Sequence, residues 1–144
     1  MRQTVVAMCL GVVAGAAFAH SGVKNAAVMA RMDAMSAIGA EMKVLGEMAK
    51  GTVVFDPDKA RAAAVSIARY AERTPELFAA REEDPKSEAR PEIWTNFADF
   101  TEKSDALRNL ALELSQSLRS EADLPQAVAS LGKACKACHA PYRE

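Results

Sequence analysis

The sequence is poor in cysteine and histidine and has no excess of positive charge. It contains only three cysteines and two histidines among 144 residues. Three of these side chains lie together near the C-terminus, too few for a closed structural zinc site with four Cys or His ligands. The formal net charge of −1 indicates no basic surface for a nucleic acid. With no low-complexity tract and no internal repeat, the chain is predicted to form one compact domain.

The three clustered side chains form a Cys-x-x-Cys-His motif made of Cys135, Cys138 and His139. This spacing is the signature of covalent attachment of a c-type haem. Each thiol would bond to one vinyl group of the porphyrin, and the imidazole would be the proximal iron ligand. On a helix, positions i, i+3 and i+4 project from one face, so all three side chains can reach the same cofactor.

Two simpler interpretations of these cysteines remain. A redox dithiol with this spacing belongs in a βαβ neighbourhood, and the sequence has no strand pattern. A local disulfide would suit an exported protein. The histidine directly after the second cysteine, together with an export signal at the N-terminus, favours haem.

The first 19 residues are typical of a signal peptide. A basic start precedes an apolar run at 4–17, and Ala17-Phe18-Ala19 matches an A-x-A cleavage site. A retained membrane anchor, the alternative, requires a longer apolar run. We therefore expect a signal peptide at 1–19, a mature domain at 20–144 without a membrane span, and a periplasmic location. Cys9 would leave with the signal peptide.

The mature sequence predicts four amphipathic helices. The first spans 23–50, and the second runs from Asp56-Pro57 to near Thr74-Pro75. The third begins at Pro91 and the fourth at Asp123. Residues 75–90 are predicted to form a solvent-exposed crossover loop. This pattern is typical of an all-α, antiparallel four-helix bundle, here with haem attached covalently to the last helix.

The inward face of the predicted first helix contains several methionines. Its apolar positions at helical spacing are Val28, Met32, Met35, Ile38, Met42, Leu45 and Ala49. A thioether is a natural sixth ligand for haem iron, and His/Met ligation raises the reduction potential. Periodicity alone leaves open whether any one methionine is a ligand or fills the core. A bis-His site is disfavoured because the only other histidine is His20, next to the mature N-terminus.

The whole predicted domain resembles the cytochrome c′ family, a known example of the four-helix bundle. The residues that carry the resemblance are Arg31 with Met35, Pro91-Glu92-Ile93-Trp94, 132–139, and Tyr142-Arg143. The resemblance implies one covalent haem c, anchored by Cys135 and Cys138 and ligated by His139.

The resemblance implies two possible functions, and the residue four positions after Arg31 distinguishes them. In the high-spin branch, an apolar residue there covers an open iron that binds NO or CO. In the low-spin branch, which includes proteins like cytochromes c-556 and c-554, a first-helix methionine ligates the iron. Met35 occupies the position and favours the low-spin branch, with Met32 as its competitor. We therefore expect a single-electron carrier, with a five-coordinate NO- or CO-binding protein as the alternative.

The resemblance also assigns roles to two arginines. Arg31 resembles the family arginine that meets a haem propionate, and the alternative is an ordinary surface arginine. Arg143 matches a basic position near the proximal histidine, but Pro141 lies between them and is expected to kink or end the helix. Trp94 and Tyr142 are predicted to pack in the core or at the haem edge.

The expected partners are redox proteins of unidentified kind. No acid–base constellation is evident, so the chain is not expected to be an enzyme. A peroxidase-like reaction would need a distal acid–base residue, and the first-helix stripe has no histidine. Members of the family often form homodimers through the first two helices, and the alanine-rich second helix permits such a contact.

Overall fold

The computed structural model describes residues 22–144. Its elements are α1 (Ala26–Ala49), α2 (Pro57–Leu77), α3 (Glu92–Thr95), α4 (Phe97–Ser117), a 3₁₀ turn (Glu121–Asp123) and α5 (Leu124–Tyr142). Within residues 22–144, none of these helices has the length and apolar character needed to cross a membrane. The predicted signal peptide, Cys9 and His20 lie outside the described residues.

The four long helices form the predicted antiparallel bundle, in which α2 packs against α1 and α4 while α5 packs against α4 and α1. The main core cluster lies between them, and its large, fully buried side chains are Leu45, Ile67, Leu118, Leu124 and Leu131. Along α2 the buried positions are mostly alanine, so that α4 approaches this helix closely. A second core cluster, consisting of Phe78, Ile93, Phe100 and Tyr142, lies near the end of the bundle where α5 terminates.

Local signals explain why α1 and α2 begin and end where they do. The side chain of Asn25 accepts hydrogen bonds from the first turn of α1, and that of Asp56 does the same for α2, which has Pro57 at its first position. Gly51, at a φ of 69°, ends α1. Its N–H donates to Met48 O, and the next N–H donates to Glu47 O, as in a Schellman motif.

Three predicted boundaries differ from the structure. The first helix begins at Ala26 and not at residue 23, because the side chain of Asn25 caps it. The second helix continues past Pro75 to Leu77, because the proline removes only one N–H donor and the Phe78 N–H again reaches Thr74 O at 3.2 Å. The predicted third helix is two helices, α3 and α4, since Asn96 leaves the helical conformation at φ −125° and ψ 43°. At the C-terminus, the prediction that Pro141 would kink or end the helix is confirmed, because α5 ends one residue later.

The segment between α2 and α3, residues 78–91 and hereafter the connector, is more ordered than the predicted crossover loop. Ala89 forms an isolated antiparallel bridge with Arg143. The Arg90 N–H donates to Tyr142 O at 3.0 Å, and the Glu144 N–H donates to Glu88 O at 2.9 Å. The connector is therefore fixed to the residues that follow α5.

Candidate functional site

A cavity of about 280 Å³ lies at the end of the bundle where α1 begins and α5 ends. Its walls come from α1, α2, the connector, α3, α4 and the end of α5. The lining residues are Val28, Arg31, Met32, Met35, Ser36, Thr74, Phe78, Ser87, Glu88, Ala89, Ile93, Phe100, Cys138, His139, Tyr142 and Arg143. Most of this surface is apolar, which suits a large flat cofactor with a few polar contacts.

The Cys-x-x-Cys-His motif lies on the last three turns of α5, but its residues do not all line the cavity. Cys138 and His139 do, whereas Cys135, almost one turn earlier, packs against the main core cluster. Both cysteines are half-buried free thiols. The structure therefore brings the second thiol and the imidazole to the cavity, whereas the first cysteine packs against the main core cluster.

Burial governs the ionisation of all three motif side chains. It raises the pKa of the Cys135 thiol and raises that of Cys138 to about 11, although the Lys103 ammonium partly opposes the shift at Cys138. Burial also lowers the pKa of His139, and the positive charge of Arg143 lowers it further, while Glu88 raises it. The imidazole is therefore held neutral near pH 7, which is the form that ligates a metal.

Two methionines of α1 reach the cavity. Met32 and Met35 line it together with Ser36, and both sulfur-bearing side chains are half-buried. Met35 also packs against both core clusters, so it connects the cavity wall to the interior of the bundle. Met42, further along the predicted stripe, packs against the main core cluster.

Arg31 is buried, with only 3% of its surface exposed, so its interpretation as an ordinary surface arginine was wrong. Its guanidinium donates to three carbonyls at the end of α2 and in the connector. The bonds run from Nε to Leu77 O (2.9 Å), from Nη2 to Ala80 O (2.6 Å) and from Nη1 to Glu82 O (3.0 Å). The same group lies over the rings of Phe78 and Trp94, 4.8 and 5.5 Å from their centroids. Burial lowers the pKa of Arg31, and the Glu82 carboxylate partly offsets this effect.

Arg143, which also lines the cavity, is paired with Glu88 of the connector. Its Nε donates to Glu88 Oε2 at 2.6 Å, and its backbone N–H donates to His139 O at 2.9 Å. Both Glu88 and Arg143 line the cavity beside His139. The side chains of this ion pair remain more than half exposed to solvent.

Tyr142 and Trp94 pack as predicted near this end of the bundle. Tyr142 is 5% exposed, and its ring meets that of Phe100 edge-on at 5.5 Å. Its hydroxyl donates to the carboxylate of Asp99. The indole N–H of Trp94 donates to Phe78 O at 2.8 Å and ties α3 to the connector.

Several cavity residues were not found from the sequence. Thr74 continues the buried stripe of α2, three residues after Ala71, and that spacing could have indicated it. Ser87, Glu88 and Ala89 belong to the connector, where no helical periodicity marks an inward face. The bridge between Ala89 and Arg143, together with the backbone hydrogen bonds on either side of it, brings this part of the connector to the cavity. A contact between segments so far apart in the chain leaves no local signal in the sequence.

These residues fit a covalently bound haem better than a simple metal site. Within residues 22–144, no group of three or more His, Cys, Asp or Glu side chains is arranged to hold a metal ion. What the cavity offers instead is a neutral imidazole, a neighbouring thiol on the same helix and thioethers on α1. Imidazole, thioether and paired cysteines are the ligand and anchor types of c-type haem.

Comparison with known proteins agrees with this chemistry. The cytochrome c′ family model matches residues 26–143. The chain is 37% identical over 110 residues to cytochrome c-556 of Agrobacterium tumefaciens (strain B2A), covering 76% of this chain and 89% of the relative.

Two solved structures share the fold. The oxidised cytochrome c556 of R. palustris superposes with a TM-score of 0.75 at 26% identity, covering 84% of this chain and 98% of that one. The cytochrome c prime of Shewanella frigidimarina superposes with a TM-score of 0.71 at 30% identity, covering 82% and 94% of the two chains. The chain therefore belongs to the cytochrome c′ family and carries a covalently attached haem c.

Proposed function

We propose that this protein is a periplasmic monohaem electron carrier in which His139 and Met35 ligate the iron in a low-spin state. The observation that carries the proposal is that Met35 of α1 and His139 of α5 line the same cavity. Imidazole and thioether together raise the reduction potential into a range useful for electron transfer. The 37% identity to a cytochrome c-556 supports the assignment to the low-spin branch.

The other site residues hold the cofactor in this proposal. Cys135 and Cys138 form the two thioether bonds, which prevent the haem from leaving the bundle. Arg31 pairs with a propionate through the N–H groups on its terminal nitrogens that the connector carbonyls do not use. Treatment with acidified organic solvent should release no haem from the wild-type protein, but should release it fully from a variant with both cysteines changed to alanine.

The first test is an absorption spectrum of the purified holoprotein, ferric and ferrous, with and without CO. The proposal predicts low-spin spectra, a far-red methionine–iron band in the ferric form and no rapid change on adding CO. A high-spin ferric spectrum with immediate CO binding would refute Met35 ligation.

The second candidate function is binding of NO or CO at a five-coordinate iron. The observation in its favour is that Met35 packs against both core clusters, as expected of a side chain whose role is to fill space over the cofactor. The similarity to a cytochrome c prime of Shewanella frigidimarina is compatible with this alternative. The same spectra decide between the two functions, because only an open site binds CO without first losing a ligand.

We propose no catalytic reaction. Peroxidase-like turnover needs an acid–base residue on the distal side, and α1 contributes Val28, Arg31, Met32, Met35 and Ser36 to the cavity. Arg31 is the one cationic group in that set, and three carbonyls already hold its guanidinium. We expect the protein to oxidise a dye with peroxide no faster than a control cytochrome whose iron has two protein ligands.

The location and the assembly state are parts of the same proposal. A signal peptide at 1–19 predicts a mature chain beginning at His20, which N-terminal sequencing of the protein from a periplasmic extract would test. A homodimer through α1 and α2 is supported by the exposure of Gly39 and Ala40 on α1 and of Val65 on α2, 40% exposed. Light scattering of wild-type protein and of Val65→Lys would detect a dimer that the substitution disrupts. The partners remain redox proteins, with no nucleic acid among them.

A further inference from the structure

The connector brings a carboxylate into the haem cavity beside the predicted proximal ligand. Ser87, Glu88 and Ala89 all line the cavity, and Glu88 is the one acidic residue in its wall. The backbone holds Glu88 in position, because the Arg90 N–H donates to Tyr142 O and the Glu144 N–H donates to Glu88 O, on either side of the Ala89–Arg143 bridge. The position of this carboxylate is therefore set by the end of α5, the helix that carries His139.

The opposite end of the connector is fixed to α1. Arg31 donates to the carbonyls of Ala80 and Glu82. The Asp84 carboxylate accepts hydrogen bonds from the N–H groups of Lys24 and Asn25 at 2.8 and 3.0 Å. With attachments on both sides, the connector has little freedom to withdraw Glu88 from the cavity.

Glu88 does not stand alone, because its carboxylate is paired with Arg143. The bond from Arg143 Nε is 2.6 Å, and Arg143 follows His139 by one helical turn. Two opposite charges thus lie close to the imidazole. Their effects on it have opposite signs, since Arg143 lowers the pKa of His139 and Glu88 raises it.

We propose that Glu88 is a positioning and charge-compensating residue for the proximal ligand, which offsets Arg143 and thereby helps set the reduction potential. The inference rests on His139 ligation in the proposed function but not on the identity of the distal ligand. Loss of one electron leaves one additional positive charge in the cavity, and a nearby carboxylate stabilises that charge. Glu88 therefore favours the oxidised state and Arg143 favours the reduced state. The effects of the two charges on the reduction potential largely cancel.

The proposed electrostatic role and a purely structural role predict different directions for the shifts in reduction potential. If the ion pair only held the end of α5 in place, removing either partner would disturb the same contact and shift the potential in the same direction. If the charges act on the iron through His139, Glu88→Gln raises the potential and Arg143→Gln lowers it. The double variant then returns close to the wild-type value. Because both side chains are more than half exposed, high salt should reduce all of these shifts.

The experiment is a spectroelectrochemical titration of the wild-type holoprotein and of Glu88→Gln, Arg143→Gln and the double variant, at low and high ionic strength. A matched control is Glu83→Gln, which removes the same charge from a connector residue that pairs with Arg81 and does not line the haem cavity. Glu88→Asp keeps the charge and should restore most of the wild-type potential. If Arg143→Gln does not take up haem, Arg143→Met, which also removes the positive charge, supplies the comparison.

Opposite shifts for the two single variants, each larger than the shift of the Glu83→Gln control, support the proposal. Shifts of the same sign, or a Glu88→Gln potential equal to wild type, overturn it. Failure of the proposed function is read separately, from the spectra of the wild-type protein. A high-spin, CO-binding protein would refute Met35 ligation but would still show opposite shifts if Glu88 and Arg143 act through His139.

Discussion

Tyr142, which lines the haem cavity from α5, donates its phenol hydrogen bond to the carboxylate of Asp99 on α4. Asp99 also accepts a hydrogen bond from Lys103 Nζ at 3.0 Å, so the carboxylate connects the end of α5 to a surface cation. Burial raises the pKa of Tyr142 to about 12, and both the hydrogen bond and the negative charge of Asp99 act in the same direction. The bond from Tyr142 in turn lowers the pKa of Asp99.

Replacement of Asp99 by asparagine should lower the pKa of Tyr142. The substitution removes the negative charge, whereas burial, the largest cause of the shift, stays, so the pKa should fall below about 12 but remain above 10. The measurement is an NMR titration of ring-labelled tyrosine in the ferrous protein, in a Tyr70→Phe background that leaves one tyrosine. An unchanged pKa in Asp99→Asn would contradict the observed pairing.

The same tyrosine predicts how stability depends on pH in the alkaline range. The folded protein keeps the Tyr142 proton up to about pH 12, whereas an unfolded tyrosine releases its proton near pH 10. The stabilising contribution is therefore complete below about pH 10 and is lost as the pH rises toward about 12. Denaturant unfolding of wild type should show this decline more steeply than unfolding of Tyr142→Phe, and parallel curves would refute it.

Arg31 should be important for stability as well as for the cofactor. Arg31→Gln leaves up to three carbonyls without their donor, and we expect a loss of roughly 2 to 4 kcal/mol in the free energy of unfolding. Arg31→Lys should recover little of this loss, because an ammonium does not have the planar fork that spans three acceptors. The control is Arg69→Gln, an exposed position on α2. Equal stabilities of the Arg31→Gln and Arg69→Gln proteins would contradict this account.

Two leucines on neighbouring helices provide a test of the packing. Leu131 on α5 is fully buried in the main core cluster, whereas Leu112 on α4 is 42% exposed. Leu131→Ala should cost about 2 to 5 kcal/mol, because it removes buried methyl groups and leaves a cavity. Leu112→Ala should cost well under about 1 kcal/mol. Denaturant unfolding of the two variants would measure the difference, and similar losses would show that the helices pack in another register.

The helices could be predicted because their signals are local. Asp56 marks the start of α2 and Gly51 the end of α1 by hydrogen bonds within a few residues, and such bonds follow from residue type. The predicted start of the first helix at residue 23 missed the equivalent cap at Asn25. The break at Asn96 could not be predicted, because the apolar spacing continues from Ile93 through Phe97 and Phe100 without interruption. Once the chain is folded, the carbonyl of Asn96 lies 3.5 Å from the Tyr142 hydroxyl, a contact between distant segments.

The site was predictable to the extent that it depends on motif spacing and family resemblance. Cys138, His139, Arg31 and Met35 all line the cavity, as the resemblance implied that they should lie near the haem, but their ligand and anchor roles stay predictions. The sequence did not indicate the carbonyls that hold Arg31, because backbone acceptors have no residue signature. Glu88 was missed for a related reason, since its position depends on the bridge between Ala89 and Arg143.

The most direct test of the central claim is the ferric absorption spectrum of Met35→Leu compared with that of Met32→Leu. Leucine has nearly the volume of methionine but no sulfur, so the two variants differ mainly in which thioether remains in the cavity. The account predicts that ferric Met35→Leu loses the far-red methionine–iron band and becomes high-spin, and that its ferrous form binds CO, while Met32→Leu keeps the wild-type spectrum. A Met35→Leu protein that keeps the band, or a Met32→Leu protein that loses it, would contradict the assignment of Met35 as the iron ligand.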